Sequence, residues 1–302
     1  MAEAALSGNG LRFAHLSDLH LPFEPRLRGL QHLSKRQLSV WSWRRRRAVQ
    51  RPEILAALRT EMQQFQPGRI VITGDITNFS LPDEFEQAAA WLRTLPAPLS
   101  LVPGNHDTLV PVVDSAGLGR WSAWSTAGDW PYLHRDGGVS FIGLKTALPT
   151  APLLATGRLG TGQCARLAKV LAEEGAAGQL RVVLLHHPVV DGAVSTRKAL
   201  ADRRNLQAVL REAGAELVLH GHARFARLDA LQGPEGPVPC LCVPSSSALP
   251  NPRDEAARWH LVQLPAGGSG WAQVRVRQWS VAANGFVDAA SYALQLGRPR
   301  QT

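Results

Sequence analysis

Short apolar runs rich in valine, isoleucine and leucine recur along the chain, and several end abruptly in a polar cluster. Continuous apolar runs of this length are typical of strands that are buried on both faces. Five such runs predict strands, at residues 11–16, 69–73, 99–103, 180–185 and 215–219. Because ligands gather at the carboxyl ends of strands in an α/β sheet, we expect the polar clusters to converge.

Stretches with helical periodicity alternate with these strands. In residues 52–66 a proline stands at the first helical position, and apolar residues from Ile54 to Met62 recur at helical spacing. Similar patterns predict helices at residues 83–95, 162–174 and 204–213. Consecutive strand-like runs then follow at residues 238–244, 258–264 and 271–279, and they predict a second, more antiparallel sheet packed against the first. The whole pattern predicts a layered α/β fold.

Composition excludes several classes of protein. With 45% hydrophobic and 19% charged residues, the chain has the composition of a folded globular protein rather than a disordered one. Residues 1–10 lack the features of a signal peptide, and no run approaches the roughly 20 apolar residues that span a bilayer. The three cysteines, Cys164, Cys240 and Cys242, are too few for a disulfide framework. We therefore expect a cytoplasmic protein.

The formal net charge of +9 is concentrated in one insertion, residues 26–51. This segment contains nine arginine or lysine residues and no aspartate or glutamate. It also carries Trp41 and Trp43 among several apolar residues, a combination typical of a helix at a membrane surface. We expect a peripheral contact with the inner face of the membrane or with a lipid substrate. A structural insertion, a protein partner and nucleic acid are alternatives, and the tryptophans favour lipid over nucleic acid.

The polar clusters carry the candidate chemistry. They are Asp18-Leu19-His20, Gly74-Asp75, Gly104-Asn105-His106-Asp107, His186-His187-Pro188 and His220-Gly221-His222. Each cluster alone is explained by a turn or a strand exit. Together they combine carboxylate, imidazole and amide donors, which suit borderline divalent ions such as Mn, Fe or Zn. The candidate metal ligands are Asp18, His20, Asp75, Asn105, His186 and His222.

This ordered set of motifs, over roughly residues 11–225, resembles the signature of the calcineurin-like metallophosphoesterases. The resemblance implies an α/β fold in which two mixed β-sheets pack as a sandwich flanked by helices, with a dimetal site at the strand ends. It implies a phosphoesterase domain over residues 11–280, including the insertion, and a C-terminal extension at residues 281–302. The implied reaction is hydrolysis of a phosphodiester or pyrophosphate bond by a hydroxide that bridges the two metal ions.

The resemblance also implies roles for individual residues. The first ion would be bound by Asp18 and His20, both ions by Asp75, and the second by Asn105, His186 and His222. His106 resembles the family's histidine that donates a proton to the leaving group or stabilises charge in the transition state. Asp107 would be the carboxylate that orients this imidazole.

The last motif departs from the family pattern. The family's Gly-His-x-His ends in a histidine that binds the first ion, whereas this chain has Gly221-His222-Ala223-Arg224. Because arginine offers no lone pair to a metal, the first site is one ligand short. A weaker first site completed by water, a one-metal enzyme and a catalytically silent scaffold are the alternatives. We favour the first, with Arg224 available to bind a substrate phosphate.

The place of the insertion bears on the substrate. It lies between the first and second ligand clusters, so we expect it to border the site. An amphiphilic substrate fits this arrangement, which is similar to that of the family members that cleave the pyrophosphate of UDP-2,3-diacylglucosamine. A 3′,5′-cyclic nucleotide is the alternative, and a nucleic acid recruited by the basic insertion is a third.

Overall fold

The computed structural model describes residues 10–266 and 270–297, and within them twelve strands form two six-stranded sheets. The strands are β1 (Arg12–Leu16), β2 (Arg69–Ile72), β3 (Leu99–Leu101), β4 (Tyr132–Asp136), β5 (Val139–Gly143), β6 (Leu180–Leu184), β7 (Leu217–His220), β8 (Arg227–Gly233), β9 (Gly236–Cys242), β10 (Arg258–Gln263), β11 (Trp271–Ser280) and β12 (Gly285–Gln295). The α-helices are α1 (Lys35–Arg46), α2 (Pro52–Phe65), α3 (Pro82–Leu92), α4 (Thr161–Ala176) and α5 (Arg203–Ala213). Short 3₁₀ turns span Gly29–Leu33, Asp114–Ala116 and Leu118–Trp121.

Both sheets are mixed. The first has the order β12-β11-β10-β1-β2-β3, in which β1, β2 and β3 run parallel. The second has the order β4-β5-β6-β7-β9-β8, in which β5, β6, β7 and β9 run parallel. This arrangement confirms the predicted fold class of two mixed sheets in a sandwich flanked by helices.

The C-terminal strands divide between the two sheets, which corrects the prediction of a separate antiparallel sheet. Strand β9 pairs with β7 in the second sheet, whereas β10 pairs with β1 in the first. Strand β12 pairs with β11, so the first sheet continues past the domain end predicted at residue 280. Most side chains of β12 are exposed. Because the segment has no continuous apolar run, hydrophobic periodicity does not predict a strand there. Residues 298–302 of the predicted extension lie outside the described residues.

Apolar side chains fill three layers between and outside the sheets. Phe13 on β1 meets Phe141 on β5 edge to face, with ring centroids 5.4 Å apart, in the layer between the sheets. Helices α2 and α3 cover the outer face of the first sheet, and α4 and α5 cover that of the second. Fully burying one such side chain contributes about 1.5–3 kcal/mol. The packed layers therefore fix the two sheets relative to each other. The ends of β1, β2 and β3 in the first sheet and of β6 and β7 in the second, which lead into the predicted ligands, are held at the same side of the sandwich.

The insertion forms helix α1, whose inner face packs on the loop after β2. Val40 and Trp43 are buried there, and the Trp43 ring lies 5.8 Å from the ring of Phe79. The expectation that both tryptophans serve a membrane surface is thus wrong for Trp43, whereas Trp41 is 58% exposed. Helical spacing explains the difference, because positions three and four apart share a face, whereas positions two apart, such as 41 and 43, do not. Within the described part of the chain, no helix is long and apolar enough to cross a membrane.

Candidate metal centre

Four of the six predicted ligands lie on backbone turned into the left-handed region. The φ angles are 50° at Asp18, 43° at His20, 53° at Asp75 and 67° at His222. Residues other than glycine seldom adopt this conformation, and it costs of order 1–3 kcal/mol at each position. Such strain persists where the surrounding structure fixes it, and here the Asp18 and His20 N–H groups donate at 2.9 Å to the carbonyls of Gly74 and Asp75.

Two glycines allow the ligand loops to approach each other closely. A Cβ atom at Gly104 would lie 2.2 Å from Oδ1 of Asp75, and one at Gly74 would lie 2.6 Å from the Gly104 nitrogen. Gly74 also has a φ of 100°, which side chains rarely permit. Both positions therefore require glycine if the loops after β2 and β3 are to meet at one site.

The first half of the centre comprises Asp18, His20 and Asp75, all buried. Nε2 of His20 lies 4.0 Å from Oδ1 of Asp18 and 3.9 Å from Oδ2 of Asp75. The other Asp18 oxygen accepts hydrogen bonds from the Ser17 hydroxyl at 2.7 Å and the His222 N–H at 3.1 Å. This pair of bonds leaves Oδ1 of Asp18 turned toward His20.

The second half comprises Asp75, Asn105, His186 and His222. Nε2 of His186 lies 3.5 Å from Oδ2 of Asp75, 3.2 Å from Oδ1 of Asn105 and 3.1 Å from Nδ1 of His222. The remaining nitrogens of the two imidazoles donate to carbonyls, Nδ1 of His186 to Thr73 at 2.7 Å and Nε2 of His222 to Lys198 at 3.1 Å.

These outer hydrogen bonds show that the residues fit a metal ion. A carbonyl only accepts, so it fixes each tautomer and turns the unprotonated nitrogen inward. Lone pairs of two imidazoles then face the oxygens of Asp75 and Asn105, and a shared cation satisfies all four. Mixed oxygen and nitrogen donors suit borderline divalent ions. The site is therefore one for divalent metal, and the donors of His106 also lie within 4.8 Å of those of His20 and Asp75.

The electrostatics of the buried groups agree with this assignment. Burial alone would raise the pKa of Asp75, but His186, His106 and His20 together hold it well below its usual range. Burial also opposes charge on His186, yet the carboxylates of Asp75 and Asp18 raise its pKa to about 9. A proton on His186 Nε2 and a cation compete for the same place, so metal binding here releases protons.

The orientation of His106 comes from a backbone carbonyl, which corrects the role predicted for Asp107. Nδ1 of His106 lies 3.0 Å from the carbonyl oxygen of Asn78. The carboxylate of Asp107 instead accepts bonds from the N–H groups of Ile76, Thr77 and Gly104 and from the Thr77 hydroxyl. Asp107 thus ties the loop after β3 to the loop after β2. A backbone carbonyl leaves no mark in a sequence, which is why the carboxylate next to His106 was the natural choice.

Helix α1 contacts the same carbonyl. The Ser39 hydroxyl donates to the Asn78 oxygen at 2.9 Å, and Arg36 donates to the carbonyls of Phe79 at 3.0 Å and Ser80 at 2.6 Å. Ser39 and Arg36 are both buried, on the inner face of the helix. The insertion therefore supports the segment that positions His106. Sequence reasoning missed this role because the inner face includes the polar residues Arg36 and Ser39 and so shows only a weak apolar pattern.

Arg224 lies at the wall of the pocket that contains both halves of the centre. Its Nη1 is 3.3 Å from Oδ1 of Asp254, and its φ of 63° continues the left-handed turn after Gly221. The pocket has a volume of about 450 Å³. Its walls carry the cations Lys35, Arg197, Lys198 and Arg224 and the apolar residues Leu38, Leu109, Leu153 and Leu154.

A family model for calcineurin-like phosphoesterases matches residues 11–223. A protein from Synechococcus named probable cyclic nucleotide phosphodiesterase is 25% identical over 269 residues, which cover 87% of this chain and 91% of the relative. The chain belongs to the calcineurin-like phosphoesterase family. It is therefore a metallophosphoesterase, a hydrolase of phosphoric esters.

Solved structures show the same fold. A dimetal phosphatase from Danio rerio superposes with a TM-score of 0.58 at 14% identity, covering 94% of this chain and 98% of that one. A purple acid phosphatase from yellow lupin gives a TM-score of 0.61 at 14% identity, covering 96% of this chain and 54% of that one. At this level of identity the likeness concerns the fold alone.

Proposed function

We propose that this metallophosphoesterase is a phosphodiesterase that uses two divalent ions, with a 3′,5′-cyclic nucleotide as its first candidate substrate. The observation that carries the proposal is the convergence of donors of Asp75, Asn105, His186 and His222. All of these except the fully buried His186 line the same pocket as His106. The printed name of the Synechococcus relative supports the choice of a cyclic nucleotide.

In this proposal Asp18 and His20 bind the first ion, and Asp75 contacts both. Asn105, His186 and His222 bind the second. Such ions, when bound, polarise a phosphoryl oxygen and supply hydroxide near neutral pH. The mixture of carboxylate, amide and imidazole donors suits Mn, Fe or Zn, and manganese is the ion proposed for the first assay.

His106 is the proposed proton donor to the leaving oxygen. Its Nδ1 lies 3.0 Å from the Asn78 carbonyl oxygen, and Nε2 is the nitrogen that is proposed to give up the proton. Arg224, at the pocket wall, is proposed to bind a phosphate oxygen, with Asp254 holding its guanidinium in place at 3.3 Å.

The size and lining of the pocket support a small phosphodiester. A volume of about 450 Å³ lies in the lower half of the range for small-molecule sites. Four cations on the walls attract an anionic substrate, and the leucines suit the faces of a base and a ribose. One nucleotide fits this space better than a molecule with two acyl chains.

The lipid nucleotide UDP-2,3-diacylglucosamine is a second candidate. Exposed apolar side chains of the insertion favour it, since Leu30 and Leu33 are 82% and 84% exposed close to the helix that lines the pocket. In that case the pyrophosphate would enter the pocket while the acyl chains stayed outside.

A parallel assay tests these alternatives. Purified protein with Mn²⁺ is given 3′,5′-cyclic AMP, UDP-2,3-diacylglucosamine in mixed micelles, and a chromogenic phosphodiester. We expect hydrolysis of cyclic AMP and of the chromogenic ester that disappears in Asp75→Asn and persists in the surface control Asp114→Asn. Cleavage of the lipid nucleotide alone would replace the first candidate by the second. No turnover of any of the three would favour a silent scaffold and contradict the proposal.

We also propose a cytoplasmic location. Cys164, Cys240 and Cys242 are buried free thiols, and burial raises the pKa of Cys240 to about 12. Unreactive thiols of this kind are usual in a reducing compartment. Fractionation of cells that express the chain checks the location, and recovery from an oxidising compartment would contradict it.

A further inference from the structure

Large apolar side chains stand exposed on the insertion and on the loop that faces it. They are Leu30, Leu33, Leu38, Trp41 and Leu153, which we call the apolar rim. Leu30 and Leu33 are 82% and 84% exposed, and Leu153 is 73% exposed. Leu38 and Leu153 also line the catalytic pocket, so the rim includes its mouth. Apolar residues clustered in this way mark an interaction site more often than a solvated surface.

Hydrogen bonds hold the rim in this exposed arrangement. In the turn that displays the two leucines, the Ser34 hydroxyl donates to the Gln31 carbonyl at 2.7 Å, and His32 Nε2 lies 3.0 Å from the Leu27 carbonyl. Across the mouth, the Lys35 ammonium donates to the Thr150 hydroxyl at 2.6 Å and the Leu154 carbonyl at 2.7 Å. The two sides of the rim are therefore fastened to each other, and the leucines project because the polar groups point inward.

Exposed cations flank the rim residues of the insertion along the chain. Arg26, Arg28, Arg44 and Arg47 are all exposed, and residues 26–51 contain no acidic side chain. Helix α1 thus separates its residues into an inner face that packs on the loop after β2 and an outer face that carries Trp41 and Arg44. The apolar side chains of the rim come from the 3₁₀ turn, from α1 and from the facing loop, and apolar side chains beside exposed cations suit a bilayer surface with anionic head groups.

We propose that the apolar rim and its arginines dock the protein on an anionic lipid surface, with the mouth of the pocket toward the head groups. The charge selects the occupant, because two copies of this basic surface would repel each other. Exposed leucines add nothing to binding a nucleic-acid backbone, which is dominated by phosphate contacts. The docking proposal is separate from the proposed hydrolysis. It can be wrong while the proposal of hydrolysis is right.

Sedimentation with lipid vesicles tests the proposal on the full chain. We expect the protein to bind vesicles of phosphatidylcholine mixed with phosphatidylglycerol and to bind pure phosphatidylcholine at least about tenfold more weakly, because the arginines are attracted only to the anionic surface. The variant Leu30→Ser/Leu33→Ser/Trp41→Ser should lose about 100-fold in affinity. None of these three residues lines the pocket, so hydrolysis of the soluble chromogenic phosphodiester should stay at the native rate.

A matched control removes three exposed apolar side chains elsewhere. Trp271, Val281 and Leu228 are 56%, 64% and 51% exposed on the C-terminal strands and their turn. Their replacement by serine should leave vesicle binding unchanged. Equal losses in both triple variants, or equal binding to neutral and anionic vesicles, would overturn the proposal. So would binding of duplex DNA as tightly as anionic vesicles at the same salt, or a dimer in solution that the rim variant abolishes.

Discussion

The two halves of the metal centre differ in how closely their candidate ligand atoms approach each other. In the second half, ligand atoms of Asp75, Asn105 and His222 lie 3.1–3.5 Å from Nε2 of His186. In the first half, the carboxylate oxygens of Asp75 and Asp18 lie 3.9 and 4.0 Å from Nε2 of His20. The second half also has both imidazoles fixed by carbonyls. The first half lacks a ligand where Arg224 stands. If Asp75 is shared between the two halves, as proposed, the difference in their donors predicts that the two ions are bound with different affinities.

Removing the shared carboxylate should have the largest effect. Asp75→Asn takes a charged oxygen from both halves, and each ion contributes several kcal/mol of transition-state stabilisation, so turnover should fall by about four powers of ten. Hydrolysis of the chromogenic phosphodiester and metal analysis of the same samples measure this. Loss of activity with both ions retained would show that Asp75 does not join the halves.

His106→Ala should have the next largest effect. Turnover should fall by about two to four powers of ten, the scale of a proton donor, while metal content stays at the native value. The donors of His106 lie within 4.8 Å of those of His20 and Asp75, so metal content is the discriminating measurement. Should one ion be lost along with the activity, His106 is a ligand that completes the first half.

Titration with Mn²⁺ should separate the two halves. A complete and an incomplete site predict two binding steps whose dissociation constants differ by about 10- to 100-fold, the range in which single contacts around a metal alter affinity. Calorimetry on protein freed of metal by a chelator gives both constants. His222→Ala should abolish the tighter step and His20→Ala the weaker one, and the reverse assignment would contradict the comparison.

Arg224→His should have the smallest effect on the centre. An added imidazole should strengthen the weaker binding step by about tenfold and leave the tighter step unchanged. If Arg224 also binds the substrate phosphate, the Michaelis constant should rise in the same variant. Stronger metal binding with an unchanged Michaelis constant would leave this arginine without a substrate role, and Arg224→Lys serves as the charge-retaining control.

Much of the fold could be predicted from sequence because buried parallel strands are apolar throughout. The runs that contain β1, β2, β3, β6 and β7 end at the ligands, so strand and site shared one signal. Strand β12 carries exposed side chains and is attached by backbone hydrogen bonds, so no hydrophobic pattern marked it.

The site was less predictable where backbone atoms act. The Asn78 carbonyl that orients His106 has no side-chain signature, and the left-handed φ angles of the ligands follow from tertiary contacts. The expectation that Trp43 lies at a membrane surface was wrong for another reason. Composition alone does not distinguish the inner from the outer face of a helix, and the apolar pattern of α1 is weak because its inner face also carries Arg36 and Ser39.

The carbonyl of Asn78 accepts hydrogen bonds from both Ser39 and His106. The insertion and the proton donor are therefore not separate modules that can be exchanged independently between relatives. A chimera that receives another protein's insertion must keep hydrogen-bond donors at the positions of Arg36 and Ser39, because the carbonyls that they contact are present whatever residues stand at 78–80. Changes of substrate range that proceed through the insertion are thus constrained to preserve these two hydrogen-bond donors.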